Sequence, residues 1–125
     1  GPALNEASAA YWTARGFEVA AKPSAFRETD AFHPIYSLQS GAAEAALDRI
    51  RGVEPDAVVM LGTGMPTLRP IRDAGFVEGA PVLSCMLCLA WRLVCAADGA
   101  PPEAAGLLEW VRAGHWGARL PAAAG

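Results

Sequence analysis

Charge is scarce in this chain. Only 18% of its 125 residues are charged, acidic residues outnumber basic ones 13 to 10, and no basic stripe runs along any segment. Without that stripe there is no electrostatic grip on a phosphate backbone, which argues against a nucleic-acid partner. Cysteine is confined to Cys85, Cys88 and Cys95, an odd number within one short stretch. A disulfide framework needs pairs spread around the fold, so this is not one. Cys85-x-x-Cys88 is half of a zinc knuckle, but the second half is missing, and His33 and His115 lie far off in sequence, so no metal is expected. Cys88 and Cys95 read as small apolar core residues. No apolar run reaches the length of a bilayer span and no signal peptide opens the sequence; the expectation is a cytoplasmic chain with no membrane partner. Internal repeats are also lacking.

What is present is an apolar fraction of 53%, enough for one core in a single domain over 1–125. Residues 4–15 carry Leu4, Ala7, Tyr11 and Ala14 at helical spacing, with Asn5 placed to cap the first turn and Gly16 to stop it. Residues 17–21, Phe-Glu-Val-Ala-Ala, then read as a short strand. Residues 22–34 hold two prolines and no period, which predicts a long loop. A helix is expected over 35–51, with Ile35, Leu38, Ala42, Ala46 and Ile50 as its stripe. The segment 53–62 is the clearest strand, because Ala57–Leu61 is continuously apolar, as suits a strand covered on both faces. A short helix through Ile71 ends near Gly75, a strand follows over Ala80–Cys85, and helices are expected over 87–97 and 103–113. Residues 118–125 read as a loose tail. Helices alternating with strands predict an α/β fold with parallel pairing and right-handed crossovers. The chain opens on a helix, and the expectation is that a first strand, or a partner domain, lies outside it.

Open parallel sheets bind ligands beyond the carboxyl ends of their strands. Two junctions qualify. At Gly62-Thr63-Gly64-Met65, glycines permit close approach to the backbone and the amides ahead of a helix favour an anion. The same glycines also fit a tight turn needed for geometry alone, and no P-loop ending follows. At Ser84-Cys85, a cysteine at a helix start can act as a thiolate nucleophile, or be an inert strand-end residue. His33, beside Arg27, Glu28 and Asp30, is a loop histidine able to serve as an acid–base group or as plain surface. Trp91 and Trp110 fall on apolar helix faces and read as core.

The run Pro-Asp-Ala-Val-Val-Met-Leu-Gly-Thr-Gly-Met-Pro-Thr-Leu-Arg-Pro-Ile (55–71), followed by Ala-Pro-Val-Leu-Ser-Cys-Met-Leu-Cys-Leu-Ala-Trp (80–91), resembles the aspartate/glutamate racemase superfamily, in the branch of maleate cis-trans isomerases and arylmalonate decarboxylases. The opening residues 1–19 are similar to the segment that begins the second half of those proteins. The resemblance covers roughly residues 1–95. It implies a flavodoxin-like three-layer architecture, a parallel sheet flanked by helices and lacking its first strand. It also implies cofactor-independent chemistry on a small carboxylate or dicarboxylate, and a partner in the form of a missing first half or another chain; a homo-oligomer is compatible with it. The family's cysteine aligns with Gly62, and the tyrosine of its opening motif aligns with Ala3. Thr63 and Asn5 match family positions. Cys85 falls one strand later than any family thiol.

The expectation is therefore an isomerase- or decarboxylase-like domain with an anion cradle at 62–65. Asn5, Gly62, Thr63, Gly64, Met65 and Ser84 are its candidate substrate contacts, and Cys85 is a candidate catalytic thiol. The alternative is a non-catalytic ligand-binding or structural relative that has lost its cysteine.

Overall fold

The computed structural model describes residues 2–25, 40–62 and 64–120. Within these the chain is α/β. Helix α1 (Pro2–Thr13) is followed by α2 (Ser40–Asp48), strand β1 (Val58–Met60), α3 (Leu68–Ala74), β2 (Phe76–Val77), β3 (Ala80–Ser84), α4 (Cys85–Asp98) and α5 (Ala104–Ala113), and a 3₁₀ turn spans His115–Arg119. The sheet order is β1-β3-β2. β1 runs parallel to β3, with Val58, Val59 and Met60 opposite Val82, Leu83 and Ser84. β2 is antiparallel to β3. The sheet is thus mixed, which corrects the all-parallel expectation while remaining broadly compatible with a flavodoxin-like fragment.

The antiparallel strand comes from a hairpin too short to show as a pattern. Glu78 and Gly79 both take positive φ, 52° and 87°, as a two-residue type I′ connection requires. A non-glycine residue at +52° is strained. The Glu78 carboxylate helps hold it there by accepting the Gly52 amide at 2.7 Å.

Residues 17–21 do not form a strand. Phe17 instead folds back on the end of α1. Its amide reaches the Trp12 carbonyl at 3.2 Å while the Gly16 amide reaches the Thr13 carbonyl at 3.0 Å, which is the Schellman arrangement. The accompanying apolar contact is an edge-on packing of Phe17 against Trp12, 5.4 Å between ring centres. α1 begins at Pro2, so Asn5 sits within the helix and not at its cap. The stripe expected on α1 is exposed: Leu4 is 62% and Tyr11 51% accessible.

The core gathers Ala43, Leu47 and Ile50 from the α2 region, Met60, Ile71, Val77, Val82, Leu87 and Val111. On α2 the buried face is thus displaced by one residue from the predicted Ala42–Ala46 row, because the larger Leu47 takes the inner position. Ile71, Val82 and Leu87 are fully buried, each contributing about 1.5–3 kcal/mol by removal from water. Alternation along β1 sends Met60 inward and leaves Val59 and Leu61 nearly half accessible, so the apolar run at 57–61 is covered on one face, not two. On α4, Leu87, Trp91 and Cys95 face inward. Val94 is exposed, and Cys88 is half-buried outside the core group. Trp110 is half-buried and stacks on Trp116, 5.8 Å between ring centres.

Among the described residues no helix is long and apolar enough to cross a membrane. Residues 35–39 of the helix expected over 35–51 lie outside the described residues, as do His33, Arg27, Glu28, Asp30, Thr63 and the tail beyond Leu120.

Candidate functional site

Parallel pairing of β1 with β3 places the carboxyl ends of both strands side by side. The turn after β1 and the start of α4 therefore meet. The Cys85 thiol donates to the Gly62 carbonyl at 3.3 Å, joining the two candidate junctions into one corner. Cys85 is exposed and occupies the first position of the 14-residue α4. The orphan amides of a helix start make such a corner favourable to negative charge.

Gly62 is exposed and its φ is +95°. A side chain there would meet no atom within 4 Å. Glycine is thus needed at this position for backbone conformation and not for room. Gly64 and Met65 are half-buried, with Met65 packed against the core. Neither of their amides donates to another described residue.

Ser84 is placed differently from a ligand contact. Its side chain is 1% accessible. Its hydroxyl oxygen accepts the Leu87 amide at 3.1 Å, capping α4, and accepts the Thr67 hydroxyl at 2.9 Å. Ser84 therefore positions Cys85 and does not face solvent. Thr67, buried at 2% accessibility, was not singled out by sequence reasoning. It stands at the N-cap of α3 but makes no capping bond there; its hydroxyl donates to Ser84. The pair Thr67–Ser84 thereby ties the start of α3 to the start of α4.

Asn5 lies on α1, where its side-chain amide donates to the Lys22 carbonyl at 3.4 Å. No hydrogen bond joins it to residues 62–65 among the described residues. What α1 does bring to this neighbourhood is an open, mostly apolar cleft of about 340 Å³, lined by Ala7, Ser8, Tyr11, Trp12 and Leu61. Leu61 immediately precedes Gly62, so the cleft borders the strand-end corner.

Cys88 follows Cys85 by one helical turn. Burial pushes its thiol above the ordinary value, and the neighbouring Cys85 adds to the rise. Among the described residues no three His, Cys, Asp or Glu side chains come together as a metal site would need.

Compared with protein-family models, with curated proteins and with solved structures, the chain finds no match.

Proposed function

We propose that this domain binds a small carboxylate or dicarboxylate where the turn at 62–65 meets α4, and that it acts on that ligand without a cofactor, as an isomerase or decarboxylase of the aspartate/glutamate racemase kind. The observation that carries this reading is the contact between Cys85 and Gly62, 3.3 Å across adjacent strand ends. It sets one accessible thiol against the turn whose Gly64 and Met65 amides donate to no other described residue. In this reading the Gly64 and Met65 amides hold the carboxylate and stabilise negative charge as it develops on the neighbouring carbon. Cys85 gives or takes the proton at that carbon. One thiol suffices for isomerisation or decarboxylation, whereas racemisation needs two opposed groups. The cleft beside Leu61 would receive an apolar substituent of the ligand.

The test is titration calorimetry of the chain with malonate and maleate, followed by hydrogen–deuterium exchange at the α-carbon of the bound acid. Binding that is lost in Gly64→Pro, with exchange lost in Cys85→Ala, supports the reading. Binding without exchange would make the domain a carboxylate receptor, the function favoured by the glycine at position 62 where the family it resembles carries cysteine. Heat from neither acid overturns both.

A further inference from the structure

Cys85 and Cys88 form a C-x-x-C pair on the first turn of a helix that leaves a strand directly: β3 ends at Ser84 and α4 begins at Cys85. We propose that this pair is a reversible dithiol–disulfide site that exchanges with disulfide-bearing partners. The assignment does not depend on carboxylate binding. Three features of the geometry carry it. First, residues i and i+3 of a helix lie on one face, with Cβ atoms about 5–6 Å apart, while a disulfide wants about 3.5–4.5 Å. The first turn of a helix, whose leading amides have no intrahelical acceptors, is where such tightening costs least. Second, the two thiols are unequal in access: Cys85 is exposed and Cys88 half-buried. That asymmetry distinguishes an attacking thiol from a resolving one. Third, Cys95 is buried and two turns further on, about 10 Å along the axis from Cys88. It cannot compete for either partner.

The exchange balances as follows. The Cys85 thiolate attacks one sulfur of the partner disulfide. That S–S bond breaks, the first partner thiolate leaves, and a mixed disulfide to Cys85 remains. Cys88 then loses its proton and attacks the Cys85 sulfur, the mixed disulfide breaks and the second partner thiolate leaves. The dithiol is oxidised by two electrons, the partner disulfide is reduced to two thiols, and the two protons released by the cysteines end on those thiols. Half-burial holds the Cys88 thiol above its ordinary value, so that thiol must give up its proton before the second step.

Oxidised glutathione serves as the probe, with intact mass, thiol counting and a non-reducing peptide map as readouts on the chain free of any carboxylate. The expected result is loss of two of the three thiols, a bridge mapped to Cys85–Cys88, and no retained glutathione. Cys88→Ser should stall with one glutathione on Cys85, and Cys85→Ser should form no bridge. A wild-type chain that keeps the glutathione adduct, or a bridge mapped to Cys95, overturns the proposal. Because no carboxylate is present, failure here leaves the calorimetric test untouched, and failure there leaves this one untouched.

Discussion

Thr67 and Ser84, seventeen residues apart, share a buried hydrogen bond of 2.9 Å, and the same Ser84 oxygen accepts the Leu87 amide. One hydroxyl therefore caps α4 and anchors α3. Ser84→Ala removes the cap and strands the Thr67 hydroxyl in the interior, so a loss of about 2 kcal/mol is expected in urea denaturation. Thr67→Val leaves the cap intact and should cost about 1 kcal/mol. A double-mutant cycle should return a coupling well above measurement error, since the two residues touch.

Leu87 and Leu89 lie two residues apart on α4, yet one is fully buried and the other 53% accessible. Leu87→Ala opens a cavity in the core and should cost about 2–5 kcal/mol. Leu89→Ala should stay within about 0.5 kcal/mol. Equal costs for the two would show that the inward face of α4 is misassigned.

Two glycine-to-alanine changes should have opposite signs. Gly62→Ala forces a side chain onto a φ of +95° with no compensating contact, for a loss of about 1–3 kcal/mol. Gly106→Ala lies within α5, where the added methyl would meet Trp91 at 3.5 Å, an ordinary contact. Helix propensity then favours alanine by about 0.5–1 kcal/mol. Thermal melting of both variants decides the matter.

The Cys88 thiol, raised by burial and by its neighbour, gives stability a definite pH dependence. The folded chain holds this proton more tightly than the unfolded one. Its contribution is fully present below the unfolded thiol value and is lost as pH rises through the folded value. The urea midpoint should therefore fall on the alkaline side of about pH 8–9, and Cys88→Ser should flatten that limb.

Trp116 carries a buried indole N–H with no acceptor among the described residues. Trp116→Phe keeps the stacking surface against Trp110 while removing the orphan donor. The expected result is a melting temperature unchanged or raised, since an unsatisfied buried donor costs about 1–3 kcal/mol.

Much of this arrangement is legible in the sequence, and the rest fails for physical reasons. The runs at 57–61 and 80–84 are apolar enough to announce strands, and the glycines at 75, 99 and 114 mark where helices stop. The strand at 76–77 is invisible because two residues carry no period, and Glu78-Gly79 is an uncommon version of its turn. Phe17 to Ala21 alternate like a strand, but the Schellman fold-back satisfies the Phe17 amide locally and sets its still exposed ring edge-on against Trp12. The site divides in the same way. Gly62 and Cys85 are readable as strand-end residues, whereas their meeting depends on parallel register, which only pairing reveals. Ser84 looks like a ligand contact until burial shows its hydroxyl already committed, and nothing in its sequence neighbourhood singles out Thr67.

The hairpin between β2 and β3 closes between near neighbours in the chain, while Val58 must find Val82 across the whole of α3. Hairpins form in about 1–10 μs, and distant pairings are slower because a loop must be closed first. β1 is therefore expected to join after the hairpin has closed, and with it the corner that unites Gly62 and Cys85. A chain emerging from denaturant will own its secondary structure before it owns its site, and a thiol-reactive dye at Cys85 will time the difference.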